Sequence, residues 1–403
     1  MAHNKKVPAF SFFEARSSVL DRVRAMRITP AVESVELDAA FGRVLAEHIE
    51  ADRDFPALAR SVRDGFAVRS ADLPGELSII AEVRAGEKFA GEVGPRQAVE
   101  IMTGAPVPRG ADAVIMIEHV TTDGIRLQYD RAAEPGQFIN PQACEASAGE
   151  TILHAGKRLD YTDVALLAAT GCEQVDVFVQ PKVAVLATGD EIVPVGEQPA
   201  DFQIRNSNAY SIAAQVKRAG GIPEVLAVAP DDYGETHGLV DRGLESDLLL
   251  LSGGVSMGKY DIVERVLADF GADFYFDRVL IQPGQPVVFG RARDRFFFGL
   301  PGNPASTMVT FEIFARAAVE LLGGQEETDL FMPYARLTTD FRHKVGLMRF
   351  LPAHLHSDGA EVTPVPWHGS GDVPALTRAN AYLVADANRA EYNRGDEIRV
   401  LLK

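Results

Sequence analysis

Residues 247–261 combine glycines and carboxylates at a spacing that suits a phosphate bound together with a hard cation. Residues 248–251 form an apolar run without alternation, which is typical of a strand buried on both faces of a parallel sheet. Helical spacing of apolar residues resumes at residue 262. The loop between them therefore presents backbone N–H groups at a helix N-terminus, where an oxyanion is favoured. The candidate ligand-binding positions of this stretch are Asp247, Ser252, Gly253, Gly254, Ser256, Gly258 and Asp261.

A second interpretation of this loop is a nucleoside triphosphatase phosphate loop. Residues 253–259 read G-x-x-x-x-G-K, the spacing of such loops. Tyr260, however, stands where a Ser or Thr hydroxyl would meet magnesium, and no second strand offers a convincing magnesium-binding Asp. The spacing alone therefore does not indicate a triphosphatase.

Two further loops that could bind a ligand follow predicted strands. Thr188-Gly189-Asp190-Glu191 places two adjacent acids in a tight turn. Pro301-Gly302-Asn303 precedes Pro304, so that Asn303 could cap a helix with proline in its first position. Because ligands of open α/β sheets bind outside the carboxyl ends of the strands, we expect all three loops to meet in one crevice.

Composition limits the function classes. The 403 residues contain 46% hydrophobic and 24% charged residues, as expected of a globular protein of several domains. The net charge of −17 argues against nucleic acid or an anionic membrane as the partner. No stretch predicts a membrane span or a signal peptide, and the two cysteines have no metal-ligand or redox spacing, so we expect a cytoplasmic, reduced protein.

The order of predicted elements indicates a multidomain α/β protein with four parts. Residues 10–48 plus 148–178 are predicted as a small helical linker domain, with helices at 11–27, 37–48 and 160–170 of which the first and last pack together. Residues 49–147 are predicted as a β-rich insertion domain with strands at 77–83, 98–102, 113–117 and 125–129. Residues 326–403 are predicted as a C-terminal β-barrel or sandwich, and helix signals are absent from residue 331 onward.

Residues 179–325 alternate strand and helix, which predicts a central doubly wound, mainly parallel sheet domain. The expected strands are 183–187, 225–229, 248–251, 274–281, 287–289 and 296–300. The expected helices are 208–219, 233–244, 304–322 and the helix that begins near residue 262.

Six motifs, taken in their order along the chain, are highly specific together. They are S-V-R-D-G-F-A-V at 61–68, I-M-T-G-A-P at 101–106, T-G-D-E at 188–191, N-S-N at 206–208, S-G-G-V-S-M-G at 252–258 with Asp261, and L-P-G-N-P at 300–304. With these motifs the chain resembles, over nearly its whole length, the molybdopterin molybdenumtransferase family, which includes the bacterial MoeA proteins and the E domain of gephyrin.

The resemblance implies insertion of molybdate into adenylylated molybdopterin, with magnesium-dependent loss of AMP. It implies that Glu191, Asp247 and Asp261 hold Mg²⁺ and act in catalysis, and that the 252–258 and 301–303 loops bind the substrate together with Thr188, Gly189 and Asp190. It also implies an elongated homodimer, in which Asp64 and Thr103 of the insertion close the site of the other subunit. The molybdopterin adenylyltransferase is a possible further partner.

The chain departs from the family at positions where the family has lysine or arginine. Gln282-Pro283-Gly284-Gln285-Pro286 stands where the family has Lys-Pro-Gly-Lys-Pro, and a family Arg is missing within residues 136–145. Gln282 and Gln285 can still bind a substrate oxygen but cannot neutralise an anion; Arg63 or Arg205 could restore the charge. The alternatives are therefore a non-catalytic molybdopterin-binding or cofactor-delivery paralogue, or a variant with changed oxyanion preference, such as tungstate.

Overall fold

A computed structural model describes residues 9–254 and 262–403. A π-helical stretch, Phe311–Ala315, connects the helices Pro304–Thr310 and Arg316–Leu322 without a break. In the described residues, no helix combines the length and the apolar character needed to cross a membrane. The helices are α1 Phe12–Met26, α2 Tyr161–Ala169, α3 Ser207–Arg218, α4 Tyr233–Gly243, α5 Ile262–Asp269, α6 Pro304–Thr310, α7 Arg316–Leu322 and α8 Val373–Arg378.

The central sheet has six strands and is mainly parallel, as predicted. The four parallel strands lie side by side, and the last two strands are antiparallel to their neighbours. In spatial order the strands are Ile222–Val225, Lys182–Ala187, Leu248–Ser252, Arg295–Leu300, Val288–Ala292 and Asp273–Phe276. The strand expected at 225–229 thus lies at 222–225, and the one expected at 274–281 ends at Phe276.

Helices cover both faces of this sheet, which explains the apolar run without alternation. Leu248 and Leu250 pack with α3, α6 and α7 on one face, whereas Leu249 and Leu251 pack with α4 and α5 on the other. All four leucines are fully buried. The predicted doubly wound domain is confirmed, and its parallel strands bring their carboxyl ends to one edge.

Helix α1 begins with the predicted capping box, since Ser11 N donates to Glu14 Oε2 at 2.8 Å and Glu14 N to Ser11 Oγ at 3.3 Å. The expectation that α1 packs against α2 is wrong. The buried face of α1 joins the core of the α/β sheet, where the Phe12 ring lies 6.0 Å from Phe314. Leu167 of α2 belongs to a separate apolar cluster, so the two helices are parts of different cores.

The helix predicted at 37–48 is also absent from the described residues. A 3-10 turn, Leu37–Ala39, is followed by Gly42 at φ +78, a backbone conformation that ends helical continuity. Short antiparallel pairs surround α2 instead, and they make this region mixed in secondary structure. They pair Val32–Glu36 with Gln174–Phe178, and Ile49–Glu50 with Thr151–Leu153.

The insertion contains a six-stranded sheet in which all four predicted strands occur. A bulge between Ile79 and Ala81 shifts the pairing of its longest strand. A further short pair joins Arg60–Ser61 to Ile139–Asn140. The six strands, in spatial order, are Ala113–Met116, Gly65–Val68, Gln97–Ile101, Gly75–Val83, Arg126–Tyr129 and Thr121–Thr122.

The C-terminal region is a closed five-stranded barrel rather than a sandwich. One short helix, α8, lies within it, although the sequence predicted none after residue 331. A strand from the preceding domain, Ile281–Gln282, extends the barrel sheet by pairing with its first long strand. The barrel strands are Met348–Leu355, Glu361–Pro364, Tyr334–Leu337, Glu397–Leu402 and Ala381–Ala385, with a separate pair of Phe341–Arg342 and Glu391–Tyr392.

Candidate functional site

A pocket of about 290 Å³ lies at the carboxyl edge of the parallel strands. Four stretches of chain meet there: the loop after the Lys182–Ala187 strand, the start of α3, the Ser-Gly-Gly loop and the start of α6. The lining residues are Ala187, Thr188, Glu191, Ile192, Ile204, Arg205, Asn206, Ser207, Asn208, Ser252, Gly253, Gly302, Asn303 and Pro304.

The register of the sheet brings the three predicted loops together. Ala187 pairs with Ser252, and Ser252 pairs with Leu300 on its other side. Beyond the strands, Thr188 N donates to Ser252 O at 3.1 Å and Gly253 N donates to Leu300 O at 3.2 Å. Thr188, Ser252, Gly253, Gly302 and Asn303, all predicted substrate-binding residues, therefore line one pocket.

Close packing explains the glycines of the Ser-Gly-Gly loop. Gly253 has φ +90 and Gly254 has φ +58, a region that disfavours other residues. A Cβ at Gly253 would lie 2.7 Å from Thr188 O, and one at Gly254 would lie 2.4 Å from Thr188 Oγ1. Gly254 thus supports the pocket from behind without lining it, because its role is to let the two loops touch.

Two helices begin at the pocket. Asn206 caps α3, since its Oδ1 accepts a hydrogen bond from Ala209 N at 3.2 Å. Asn303 occupies the cap position of α6, as predicted, with Pro304 next, but its side chain makes no capping hydrogen bond. The helix dipoles of α3 and α6 make this side of the pocket favourable for an anion, although Ala305 N of α6 already donates to Ser370 O at 2.9 Å.

Glu191 supplies a carboxylate to the pocket lining. Gly189 has φ +133, and a Cβ there would lie 2.4 Å from Glu191 Oε2, so the turn folds this side chain back over its own backbone. Asp190 turns away, and its Oδ1 accepts from Asp231 N at 2.9 Å. Partial burial, with the charges of Asp190 and Glu191, raises the pKa of Asp231, which indicates a negative field suited to a cation.

The prediction that Asp247 shares a magnesium ion with Glu191 is wrong. Asp247 precedes the Leu248–Ser252 strand, and Glu191 follows the neighbouring parallel strand, so the two acids lie at opposite edges of the sheet. Asp247 Oδ2 accepts from Lys182 N at 2.9 Å, and its Oδ1 lies 3.1 Å from Arg295 Nη1. Five residues of strand, about 16 Å, separate it from Ser252, far beyond a metal–oxygen bond.

The predicted roles of Ser256, Gly258 and Asp261 lie outside the described residues. Within residues 9–254 and 262–403, no three His, Cys, Asp or Glu side chains are placed to hold one metal ion. Magnesium usually takes only one or two protein carboxylates beside substrate phosphates, so the exposed Glu191 carboxylate fits that kind of site.

Asp64 and Thr103 of the insertion contact each other. Asp64 Oδ1 accepts from Thr103 N at 2.7 Å and from Thr103 Oγ1 at 2.8 Å. These two bonds hold the pKa of the exposed Asp64 carboxyl below its ordinary value. Neither residue lines the pocket beside Glu191 in the single chain.

Pro301, Gln282 and Gln285 also fall outside the pocket lining. The turn at 283–285 instead packs against α6, where a Cβ at Gly284 would lie 2.3 Å from Thr310 Cγ2. Oriented to satisfy both partners, the Gln285 amide oxygen accepts from Arg278 Nη2 at 3.1 Å. Of the two arginines considered as replacement charges, Arg205 lines the pocket and Arg63 does not.

The structure adds pocket residues that the sequence did not assign to the site, among them Ile192, Ile204 and the first turn of α3. Two buried oxygens of the pocket residues, Thr188 Oγ1 and Asn208 Oδ1, have no hydrogen-bond partner in the described parts of the chain. Unsatisfied buried oxygens are uncommon, so they indicate a place where a ligand completes the hydrogen bonding. The Asn206-Ser207-Asn208 cap motif was the sequence signal that could have assigned the first turn of α3 to the site.

Comparison with known families covers most of the chain. Residues 10–171 match the MoeA N-terminal region (domain I and II), residues 184–320 match a probable molybdopterin binding domain, and residues 334–403 match the MoeA C-terminal region (domain IV). The pocket lies wholly within the second of these matches.

Individual relatives agree with the family match. A protein of Bacillus subtilis named molybdopterin molybdenumtransferase is 34% identical over 92% of this chain and 89% of its own length. A protein of the same name from a Nostoc species is 32% identical over 92% of this chain and 88% of its own. A crystal structure of the molybdopterin biosynthesis protein moeA from Pyrococcus horikoshii superposes with a TM-score of 0.80 at 28% identity, over 98% of this chain and 100% of that one.

Proposed function

The chain belongs to the MoeA family, and we propose that it acts as a molybdopterin molybdenumtransferase in molybdenum cofactor biosynthesis. Molybdate is inserted into the dithiolene of adenylylated molybdopterin, and AMP is released. The observation that carries the proposal is the pocket itself, which two helix starts, the Ser-Gly-Gly loop and Glu191 line together at one sheet edge. Such an arrangement favours a phosphorylated ligand with a cation beside it.

Magnesium is the proposed cation, and Glu191 the residue of the described chain that would hold it, together with Asp261. When bound, the ion neutralises charge on the pyrophosphate. The first turn of α3 and the side chains of Ser252 and Asn303 bind phosphate oxygens and orient the bond that breaks. Asp247 has no part in this arrangement, because it lies at the other edge of the sheet.

A homodimer would complete the site. Asp64 and Thr103 form an exposed, hydrogen-bonded pair that does not line the pocket of its own chain. We expect the pair to approach the pocket of a second subunit, where the free Asp64 Oδ2 can contact the substrate or its cation. The molybdopterin adenylyltransferase is a proposed partner, because an adenylyl-transferring enzyme must supply the substrate.

Two arginines are the proposed replacements for the missing lysines. Arg205 lines the pocket, and its side chain is held by Glu197 O at 3.0 Å and by Gln198 Oε1 at 3.3 Å. Arg278 bonds to Gln285 and so places a guanidinium at the turn that carries the glutamines. In titrations of AMP release with molybdate, R278Q and R205Q are each expected to raise the half-saturating concentration; unchanged half-saturation in both would remove these residues from anion binding.

The deciding experiment is a reaction of the purified protein with adenylylated molybdopterin, Mg²⁺ and molybdate. Release of AMP with formation of metallated cofactor supports the transferase. Tight binding without turnover contradicts it and supports the cofactor-delivery alternative. Turnover with tungstate in preference to molybdate would leave the reaction class intact and change the substrate.

A further inference from the structure

Asn208 lies in the first turn of α3 and connects two loops of the pocket. Its Nδ2 lies 2.7 Å from Gly302 O and 3.0 Å from Ser252 Oγ. The backbone carbonyl of Gly302 can only accept a hydrogen bond, so the atom facing it must be the amide nitrogen and not the oxygen. The orientation of the Asn208 amide is therefore fixed by chemistry.

This orientation also fixes the Ser252 hydroxyl. Both hydrogens of the Asn208 amide are committed, one to Gly302 O and the other to Ser252 Oγ. Ser252 Oγ consequently accepts, and its own hydrogen must point elsewhere. No acceptor for that hydrogen lies among the described residues, although Ser252 is only 4% exposed and lines the pocket.

We infer that Asn208 is a positioning residue, which holds the Ser252 hydroxyl as a dedicated hydrogen-bond donor to a phosphate oxygen of the bound ligand. The inference rests on the proposed function for the identity of the ligand. A serine hydroxyl can ordinarily donate or accept; with one lone pair engaged by an amide, this one is set to recognise an acceptor. An anionic oxygen is the strongest acceptor that the two helix starts would bring to this place.

The variant N208D reverses the arrangement. Aspartate cannot donate, so it repels Gly302 O and accepts the Ser252 hydrogen, which turns the hydroxyl away from the ligand. Loss of a hydrogen bond to a charged group predicts a fall of at least about tenfold in the affinity for AMP, measured by calorimetry. N206D is the matched control, because it adds the same charge at the same helix start and aspartate is an equally good cap.

The variant S252A tests the other half of the pair without adding charge. It is expected to lose as much AMP affinity as N208D loses beyond N206D, and the double variant S252A/N208D should lose no more than N208D alone. Thermal melts identify any variant whose binding falls only because the fold is damaged.

The outcomes separate this inference from the proposed reaction. If S252A binds AMP like the wild type, or if N208D matches N206D, Asn208 merely fastens the loops and the inference is wrong, whatever the turnover. If the pattern is as expected but the wild type does not release AMP from adenylylated molybdopterin, the inference stands and the transferase assignment fails. A wild type that binds no AMP overturns the inference, whereas the transferase assignment is decided by AMP release alone.

Discussion

The two acids that the sequence placed in one metal site make the sharpest test of the pocket. Glu191 lines it, whereas Asp247 lies about 16 Å further back along a neighbouring strand. At that distance one unit charge acts on another by only about 0.3 kcal/mol in water, less than a twofold effect on a rate, and salt reduces it further. D247N should therefore leave AMP release nearly unchanged.

The cost of D247N should appear in stability instead. Its amide oxygen can still accept from Lys182 N, and the half-exposed ion pair with Arg295 is the interaction that is lost. Such pairs contribute about 0.2–1 kcal/mol, so we expect the melting temperature to fall by about 3 °C or less. E191Q should behave in the opposite way, with AMP release lower by at least about tenfold and an unchanged melt.

Initial rates of AMP release at saturating molybdate, over a range of Mg²⁺ concentrations, compare the two variants. E191Q should require more Mg²⁺ than the wild type, and D247N should not. A D247N protein that melts like the wild type yet has lost AMP release would refute the assignment of the site to the carboxyl edge, as would full activity in E191Q.

Three further outcomes are expected. Mixing D64A subunits with E191Q subunits should restore some activity through mixed dimers, and a monomer in sedimentation, or mixed dimers without activity, would contradict the shared site. G254A places a methyl group 2.4 Å from Thr188 Oγ1 at φ +58 and should lower stability by about 1–2 kcal/mol or more in chemical denaturation, so a wild-type midpoint would argue against this packing. T103A removes the Thr103 hydroxyl and should raise the pKa of Asp64 in an NMR titration, and an unmoved pKa would contradict the hydrogen bond from that hydroxyl. Because the two bonds from Thr103 depress the folded-state pKa, the stability they give is present above the ordinary pKa and lost as the pH falls through the lowered one.

The sequence was sufficient to predict which edge of the sheet binds the ligand. It was insufficient to predict how far each acid lies from that edge. An unalternating leucine run predicts a strand with both faces buried, and a glycine turn at its end predicts the binding edge. Asp247 is next to the same strand in sequence, so both the local pattern and the resemblance grouped it with the loop. Only the direction of the strand shows that the two ends are far apart.

Helix packing was beyond the reach of local patterns. The spacing of α1 predicts its buried face but not which core that face joins, and Phe314 and Phe350, which pack against Phe12, are more than 300 residues away in the chain. The pairing of Ile281–Gln282 with the barrel is likewise set by tertiary contacts, because a two-residue strand has no periodicity to detect. Asn208 was visible only as part of a cap motif, since its link between Ser252 and Gly302 requires coordinates.

The packing of α1 has a consequence for how the protein folds during its synthesis. The Phe12 ring lies 6.0 Å from Phe314 and 5.5 Å from Phe350, so α1 leaves the ribosome more than 300 residues before the side chains that it packs against. At about 5–20 residues per second, its apolar face stays without its native partners for roughly 15–60 seconds. Ribosome-bound chains halted before residue 300 should consequently be cleaved by protease within α1, whereas protection at that stage would mean that another surface shields the helix during synthesis.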